Sequence, residues 1–217
     1  MKKKLLSILL CLVMVVGLLP TAAFAAGSVE INETNFPDAK FRSFVKEKLD
    51  KNKDNILDAG EIAAVKMIEA NNMGIKSLEG VGFFTALETL KCWDNELTGL
   101  DLSKNTALKD LQCSNSKLQS LDLSQNPNLT QLYCGENPLT TLDLSKNAIL
   151  KLLDCSGFAN RRTKLTELDL SQNTALESLD CSINELKQLN VSGCTALKKL
   201  SCSSNQLTTL DVSKNVN

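Results

Sequence analysis

A repeat solenoid of short parallel strands, closed at its N-terminal end by a small α-helical cap, is the fold class predicted by the 217-residue sequence. Three observations predict it. From residue 87 onward the sequence restarts at Leu87, Leu108, Leu129, Leu150, Leu176 and Leu197, at spacings of 21, 21, 21, 26 and 21 residues. Within each unit Leu90, Cys92 and their equivalents alternate with polar residues, the period-two pattern of a strand with one buried face. Aromatic residues make up only 4% of the chain, so the core must be aliphatic, and a regular leucine repeat supplies it.

The first element is an address. Lys2, Lys3 and Lys4 precede an apolar run from Leu5 to Leu19, followed by Pro20 and the triplet Ala23-Phe24-Ala25. A positive start, an apolar run shorter than a membrane span and a small-residue cleavage pattern predict a secretory signal peptide over residues 1–25. Cys11 lies inside that run and leaves with it. Cleavage leaves 21 basic against 25 acidic residues, a net charge of −4. No basic excess remains to neutralise phosphates, which argues against nucleic acid as a partner. With no second apolar span, the mature chain is expected outside the cell without membrane insertion. The sequence contains no histidine, which removes Ser-His-Asp and Cys-His nucleophile systems and His-dependent zinc catalysis.

Residues 26–74 are expected to form the cap, because an open solenoid end would leave apolar strands uncovered. After Pro37 and Asp38, the residues Phe41, Phe44, Val45 and Leu49 recur at helical spacing. A second helix is expected near Ala59, with Ile62, Val65 and Ile68 on one face. Between them, oxygen-bearing side chains stand at Asp50, Asn52, Asp54, Asp58 and Glu61, with the Ile56 carbonyl available between Asp54 and Asp58. That twelve-residue spacing resembles the calcium loop of an EF-hand, with Glu61 for bidentate closure and Leu57 in the usual apolar eighth position. Calcium is therefore the one cofactor the sequence suggests. Asn55 replaces the family's glycine, and Lys51 and Lys53 would repel an ion, so a loop of the same shape held by packing without metal is the alternative. Residues 75–86 read as a degenerate first repeat that joins the cap to the solenoid with no flexible linker.

Residues 87–217 are six units of the form L-x-x-L-x-C-x-x-N-x-L-x-x-L-D-L-S-x-N, shown in full by Leu87 to Asn105. Each contains two similar halves, and each half offers a short strand. No unit can bury its apolar face alone, so stacked coils pair equivalent strands in parallel at roughly 4.8 Å. Asn95, Asn137, Asn184 and Asn205, with Asn105, Asn126, Asn147, Asn173 and Asn215 in the second half, fall where the chain turns inward. Their amides can satisfy backbone groups that a buried corner would leave unpaired. Cys92, Cys113, Cys134, Cys155, Cys181 and Cys202 share one slot and predict a buried column. Six regular cysteines in a secreted chain raise the alternative of a disulfide framework. Side chains that all point the same way favour free buried thiols instead. Cys194 stands alone, in a slot that is Asn elsewhere.

The pattern L-x-x-L-x-C-x-x-N-x-L resembles the leucine-rich repeat proteins over residues 87–217, and its second half resembles the nested 21-residue units of bacterial secreted and surface proteins. The helical cap is similar to that of internalin-like proteins. That resemblance implies a curved solenoid whose concave sheet binds a protein or glycan, and it implies no catalysis.

A binding surface can be read from the outward columns of the first strand. Lys91, Gln112, Tyr133, Asp154, Asp180 and Ser201 form one; Thr89, Asp110, Gln131, Leu152, Ser178 and Lys199 form another. Most are small or polar, which singles out Trp93, Tyr133 and Leu152 as candidate contacts. The fourth unit is five residues longer, with an insertion near 157–163 that carries Arg161 and Arg162 as further candidates. Asp101, Asp122, Asp143, Asp169 and Asp211 repeat in nearly every unit and read as scaffold, since an active site would be local. The sequence thus predicts a non-catalytic secreted binding module, with a calcium-stabilised structural or adhesive spacer of a larger surface protein as the alternative. The sequence stops within a unit, which suggests either a longer protein or an end that pairs with another copy.

Overall fold

The computed structural model describes residues 27–158 and 163–216. The expected leader and the Arg161–Arg162 pair lie outside the described residues. In chain order the elements are β1 (Val29–Glu30), α1 (Ala39–Lys48), β2 (Ile56–Leu57), α2 (Ala59–Ala64), β3 (Met67–Glu69), a 3-10 turn (Val81–Phe83), β4 (Thr89–Lys91), β5 (Asp110–Gln112), β6 (Gln131–Tyr133), β7 (Leu152–Asp154), β8 (Glu167–Asp169), β9 (Ser178–Asp180), β10 (Gln188–Asn190) and β11 (Lys199–Ser201). Strands β3, β4, β5, β6, β7, β9 and β11 form one seven-stranded sheet in that order. Every pair in it is parallel and in register, so Ile68, Leu90, Leu111, Leu132, Leu153, Leu179 and Leu200 form its central row. The expected solenoid is therefore observed.

Helix α1 starts at Asp38, whose Oδ1 accepts from the Lys40 and Phe41 amides at 2.9 and 3.0 Å. Its apolar face buries Phe41, Phe44 and Val45. Phe36 then bridges cap and solenoid, with ring centroids 5.9 Å from Phe41, 5.7 Å from Phe83 and 6.4 Å from Phe84. Gly80, at φ 98°, lets this contact close, because a Cβ there would lie 2.4 Å from the Asn35 carbonyl oxygen and 2.5 Å from the Phe36 ring. The other oxygen of Asp38 accepts from the Lys76 and Ser77 amides at 2.8 and 3.3 Å. One carboxylate thus caps a helix and ties it to the first coil. Burial works to raise its pKa, but the backbone N–H bonds from Phe41, Lys76, Lys40 and Ser77 outweigh that and hold it below its ordinary value.

Two expectations need correction. Helix α2 ends at Ala64, where Val65 turns to extended backbone (ψ 100°). Ile68 therefore lies not on that helix but in β3, paired with Leu90. Its β-branched side chain suits a pleated position beside a neighbouring strand better than a third helical turn. The first coil thus opens at Met67 and runs through the 75–86 segment. Nor does each half-unit form a strand. Among the described residues of the second halves only β8 and β10 pair, again in parallel; elsewhere these segments carry the leucines inward as turns.

Two asparagine ladders hold the coils together. In the first, Asn137 donates to the carbonyls of Cys113, Cys134 and Gly135 at 2.9, 3.0 and 3.2 Å and accepts from the Leu118 amide at 3.1 Å. Asn95, Asn184 and Asn205 repeat the pattern. In the second, each Asn donates to two carbonyls of the preceding turn, as Asn126 does to Leu102 and Asn105 at 3.1 and 2.9 Å. Cys194 breaks this run and offers its thiol to the Leu170 carbonyl at 3.3 Å.

Candidate functional site

The outward face of the large sheet is the first candidate. In β4, β5, β7 and β9 the middle residue is buried and its two neighbours are half-buried, so the two columns read from the sequence do line one face. Register extends beyond the strands, because the Asp94 amide donates to the Ser114 carbonyl and the Asn115 amide to that of Gly135. Trp93 therefore stands in a third column beside Ser114 and Gly135, with 38% of its surface exposed.

The structure brings only some of the predicted contacts together. Gln131 of β6 pairs with Leu152 of β7 and Tyr133 with Asp154, which makes Tyr133 and Leu152 diagonal neighbours. Trp93 lies two strands from Tyr133, roughly 10 Å across the sheet, so the two rings share a face without touching. Met67 of β3, 51% exposed, is a further apolar residue on this face. Sequence reading missed it because Met67 lies before the first recognisable repeat. Lys91 is fixed by an ion pair to Glu69 at 2.6 Å. Burial first, then the charges of Asp110 and Asp154, push the Tyr133 phenol above its ordinary pKa.

The insertion leaves β7 through Gly157 and Phe158, the latter 66% exposed, and returns at the fully buried Thr163. Thr163 Oγ1 donates to the Cys155 carbonyl at 3.0 Å. It thereby takes the ladder place held by Asn137 one turn earlier. Counting back from Leu165 in the sequence finds it.

The EF-hand-like loop is the second candidate. Asp50, Asn52, Asp54, Ile56 and Asp58 lie between α1 and α2, and Glu61 lies in the first turn of α2. Asn55 adopts φ 66°, the left-handed conformation that the family's glycine supplies. Leu57 sits in β2, which pairs antiparallel with β1. The carboxylates, however, face backbone N–H groups. Asp50, 2% exposed, accepts from Lys53 at 2.7 Å and Asn55 at 3.0 Å. Glu61 accepts from Lys51, Asn52 and Asp58 at 2.6, 3.3 and 3.1 Å. Asp54 accepts from Ile56 at 2.8 Å, and Asp58 caps α2 through the Glu61 amide at 2.8 Å. Among the described residues, no group of three or more Asp, Glu, His or Cys side chains converges as a metal cage. The donor types and the backbone match a calcium loop, but the closing glutamate is engaged by the loop's own amides.

The aspartate column has a local role. The Oδ1 atoms of Asp101, Asp122, Asp143, Asp169 and Asp211 each accept from the amide of the serine two residues on, at 2.9 Å in every case. Those hydrogen bonds are the main reason that Asp101, Asp122, Asp143 and Asp211 titrate below the ordinary range. Asn190 makes the same turn with Ser192, so a neutral acceptor can form the turn, and the charge strengthens it where Asp is present.

Among the described residues the cysteines are free, and all but Cys202 are buried. Burial raises the pKa of the buried thiols, to about 12 for Cys113 and Cys181 and about 11 for Cys194. Cys92, Cys134 and Cys155 are also raised well above the ordinary value, by burial first and then by neighbouring thiols. Such thiols stay protonated and act as small apolar side chains. Among the described residues, no helix is long and apolar enough to cross a membrane.

No family model and no curated protein matches the chain. Solved structures do. The functional domain of InlJ from Listeria monocytogenes, which includes a cysteine ladder, shares 32% identity and a TM-score of 0.66, over 87% of this chain and 46% of that one. The chain thus spans less than half of that relative. Internalin C2 of the same organism reaches a TM-score of 0.66 at 20% identity, over 90% of this chain and 96% of its own, which supports the fold alone. With its stacked parallel coils, two asparagine ladders and column of buried thiols, the chain is an internalin-like leucine-rich repeat protein.

Proposed function

We propose that the chain is a secreted binding module of the bacterial surface that holds a protein or glycan on the outward, concave face of its sheet and does not transform it. One observation carries this reading: rows of half-buried polar residues are interrupted on that face by Trp93, Tyr133 and Leu152. Aromatic side chains on a rigid sheet anchor partners at low entropic cost. The repeated carboxylates that could imitate a catalytic pair are engaged in turns, and the chain has no histidine. Arg161 and Arg162 of the insertion, which lie outside the described residues, would add positive charge to the contact. The test is capture of extracellular proteins and arrayed glycans by the wild-type chain and by a Trp93→Ala, Tyr133→Ala variant. The variant should lose capture without a fall in melting temperature; unchanged capture sinks the reading.

A second reading, a calcium-stabilised spacer of a larger surface protein, draws on the EF-hand backbone of residues 50–61. Asp50, Asn52, Asp54, the Ile56 carbonyl, Asp58 and Glu61 would hold the ion, and Glu61 would have to release three amides to do so. Calorimetric titration with calcium, beside an Asp50→Ala, Glu61→Ala variant, decides it. Heat with the wild type alone supports a metal-stabilised cap. Silence in both leaves the loop as a hydrogen-bonded scaffold.

A further inference from the structure

We infer that the sheet face around Tyr133 docks an arginine side chain presented by an extended protein segment, an inference that rests on the binding-module reading above. The eight outward positions of β5, β6, β7 and β9 include three carboxylates, Asp110, Asp154 and Asp180, and no lysine or arginine. On the flanking strands, Lys91 is committed to Glu69 at 2.6 Å, and Lys199 lies on β11, beyond Asp180. The outward positions of these four strands therefore carry a net negative charge, with Lys91 near Asp110 and Lys199 diagonal to Asp180 only at the two edges of the stretch.

The carboxylates are grouped around a ring. Asp154 is the in-register neighbour of Tyr133, and Asp110 stands one strand away on the opposite side, diagonal to it. Both are close enough for their charge to act on the phenol. Asp154 commits Oδ1 to the Ser156 amide and hydroxyl at 3.0 and 2.7 Å, and Asp180 commits Oδ1 to the Ser182 amide at 3.0 Å. Among the described residues, no donor reaches the second oxygen of either. Leu152 beside the ring gives a half-buried apolar shoulder on which a methylene stem can lie.

A flat aromatic face, an adjacent carboxylate with an available oxygen and an apolar shoulder together match a guanidinium. That group is planar and weakly hydrated, stacks on an aromatic ring and forks onto a carboxylate. A lysine ammonium would use the charge but not the plane, and a free polyamine would use neither the plane nor the shoulder in a fixed register.

The test is fluorescence anisotropy with the purified chain and labelled (Arg-Gly)4 and (Lys-Gly)4 peptides. The arginine peptide should bind roughly tenfold more tightly than the lysine peptide. Tyr133→Ala should cost about tenfold, and Tyr133→Phe, which keeps the ring, less than about threefold. Asp154→Asn should weaken binding while keeping the turn, as Asn190 does. The pair Asp122→Asn, Asp143→Asn removes more charge away from this face and should change affinity by less than about twofold. Equal loss in that control, equal binding of the lysine peptide, displacement by spermidine at matched charge, an unaffected Tyr133→Ala or no binding at all would each overturn the proposal. If the arginine peptide fails while capture still depends on Trp93 and Tyr133, the arginine chemistry falls alone. If capture is also indifferent to both residues, the binding-face reading falls with it.

Discussion

Replacing Asn137 by serine tests whether the ladder holds the coils together. Asn137 is 1% exposed and serves two neighbouring turns: its amide satisfies the carbonyls of Cys113, Cys134 and Gly135, and its oxygen satisfies the Leu118 amide. Serine is too short to span both turns. At least two backbone groups, the Leu118 N–H and the Cys113 carbonyl, would then lose this partner in a buried corner. An unsatisfied buried backbone group costs about 1–3 kcal/mol, so the substitution should cost about 2–5 kcal/mol. For a chain of this size that lowers Tm by roughly 5–15 °C. Chemical denaturation should show a lower midpoint with an unchanged slope if the coils still unfold together. A repeat array also permits local loss, and hydrogen exchange would then show the protection of Leu118 falling before that of the cap. A cost under about 0.5 kcal/mol would refute the ladder argument, since it would mean that water satisfies the corner equally well.

Three further outcomes are expected. Asp38→Ala removes both the helix cap and the tie to Lys76 and Ser77; it should cost about 1–3 kcal/mol and expose α1 to protease before the repeats, and equal protease sensitivity of cap and repeats would count against it. Thiol labelling of the native chain should reach half-exposed Cys202 first and the buried column only in denaturant; rapid native labelling of Cys113 would contradict its pKa near 12. Stability should also fall in acid. The folded pKa values of Asp101, Asp122, Asp143 and Asp211 are depressed, so their contribution is present above the ordinary carboxylate range near 4 and lost as pH falls through the folded values. A denaturation midpoint that fails to fall between pH 5 and 3 would show that the turns do not depend on charge.

The solenoid was legible because its cause is periodic. Leu90 and its equivalents recur every turn, and only stacking can bury them, so the sequence contains both the strand and its neighbour. Asp38 was legible as a helix start but not as a strut, since its second role depends on residues 76 and 77 meeting it in space. The cap boundary was misplaced for a related reason. Met67-Ile68-Glu69 has no repeat signature of its own and becomes a strand because β4 offers it a partner. At the candidate site, register placed Tyr133 beside Asp154 as the repeat length requires. The orientation of Glu61 toward amides rather than toward an ion could not be read from ligand spacing, which is the same in either case.

The second unit shows where periodic reading gives out and supplies the converse of the first test. Its ladder place is Ser116, while Asn115 lies one residue early, at φ 52°, and donates its amide to Asp94 of the preceding turn. The asparagine is present in the sequence but not at the corner. Ser116 Oγ is buried with no hydrogen-bond partner among the described residues, so this turn has the defect that Asn137→Ser would create one turn later. Ser116→Asn should therefore stabilise the chain, by about 1–2 kcal/mol if it recovers two of the bonds that Asn137 makes and loses some side-chain entropy. The gain should appear as a higher denaturation midpoint and as slower exchange of the Leu97 amide, the counterpart of Leu118 one turn earlier. Destabilisation would show that the second turn has closed around serine and no longer has room for the amide, and the ladder would then be a consequence of coil spacing rather than one of its causes.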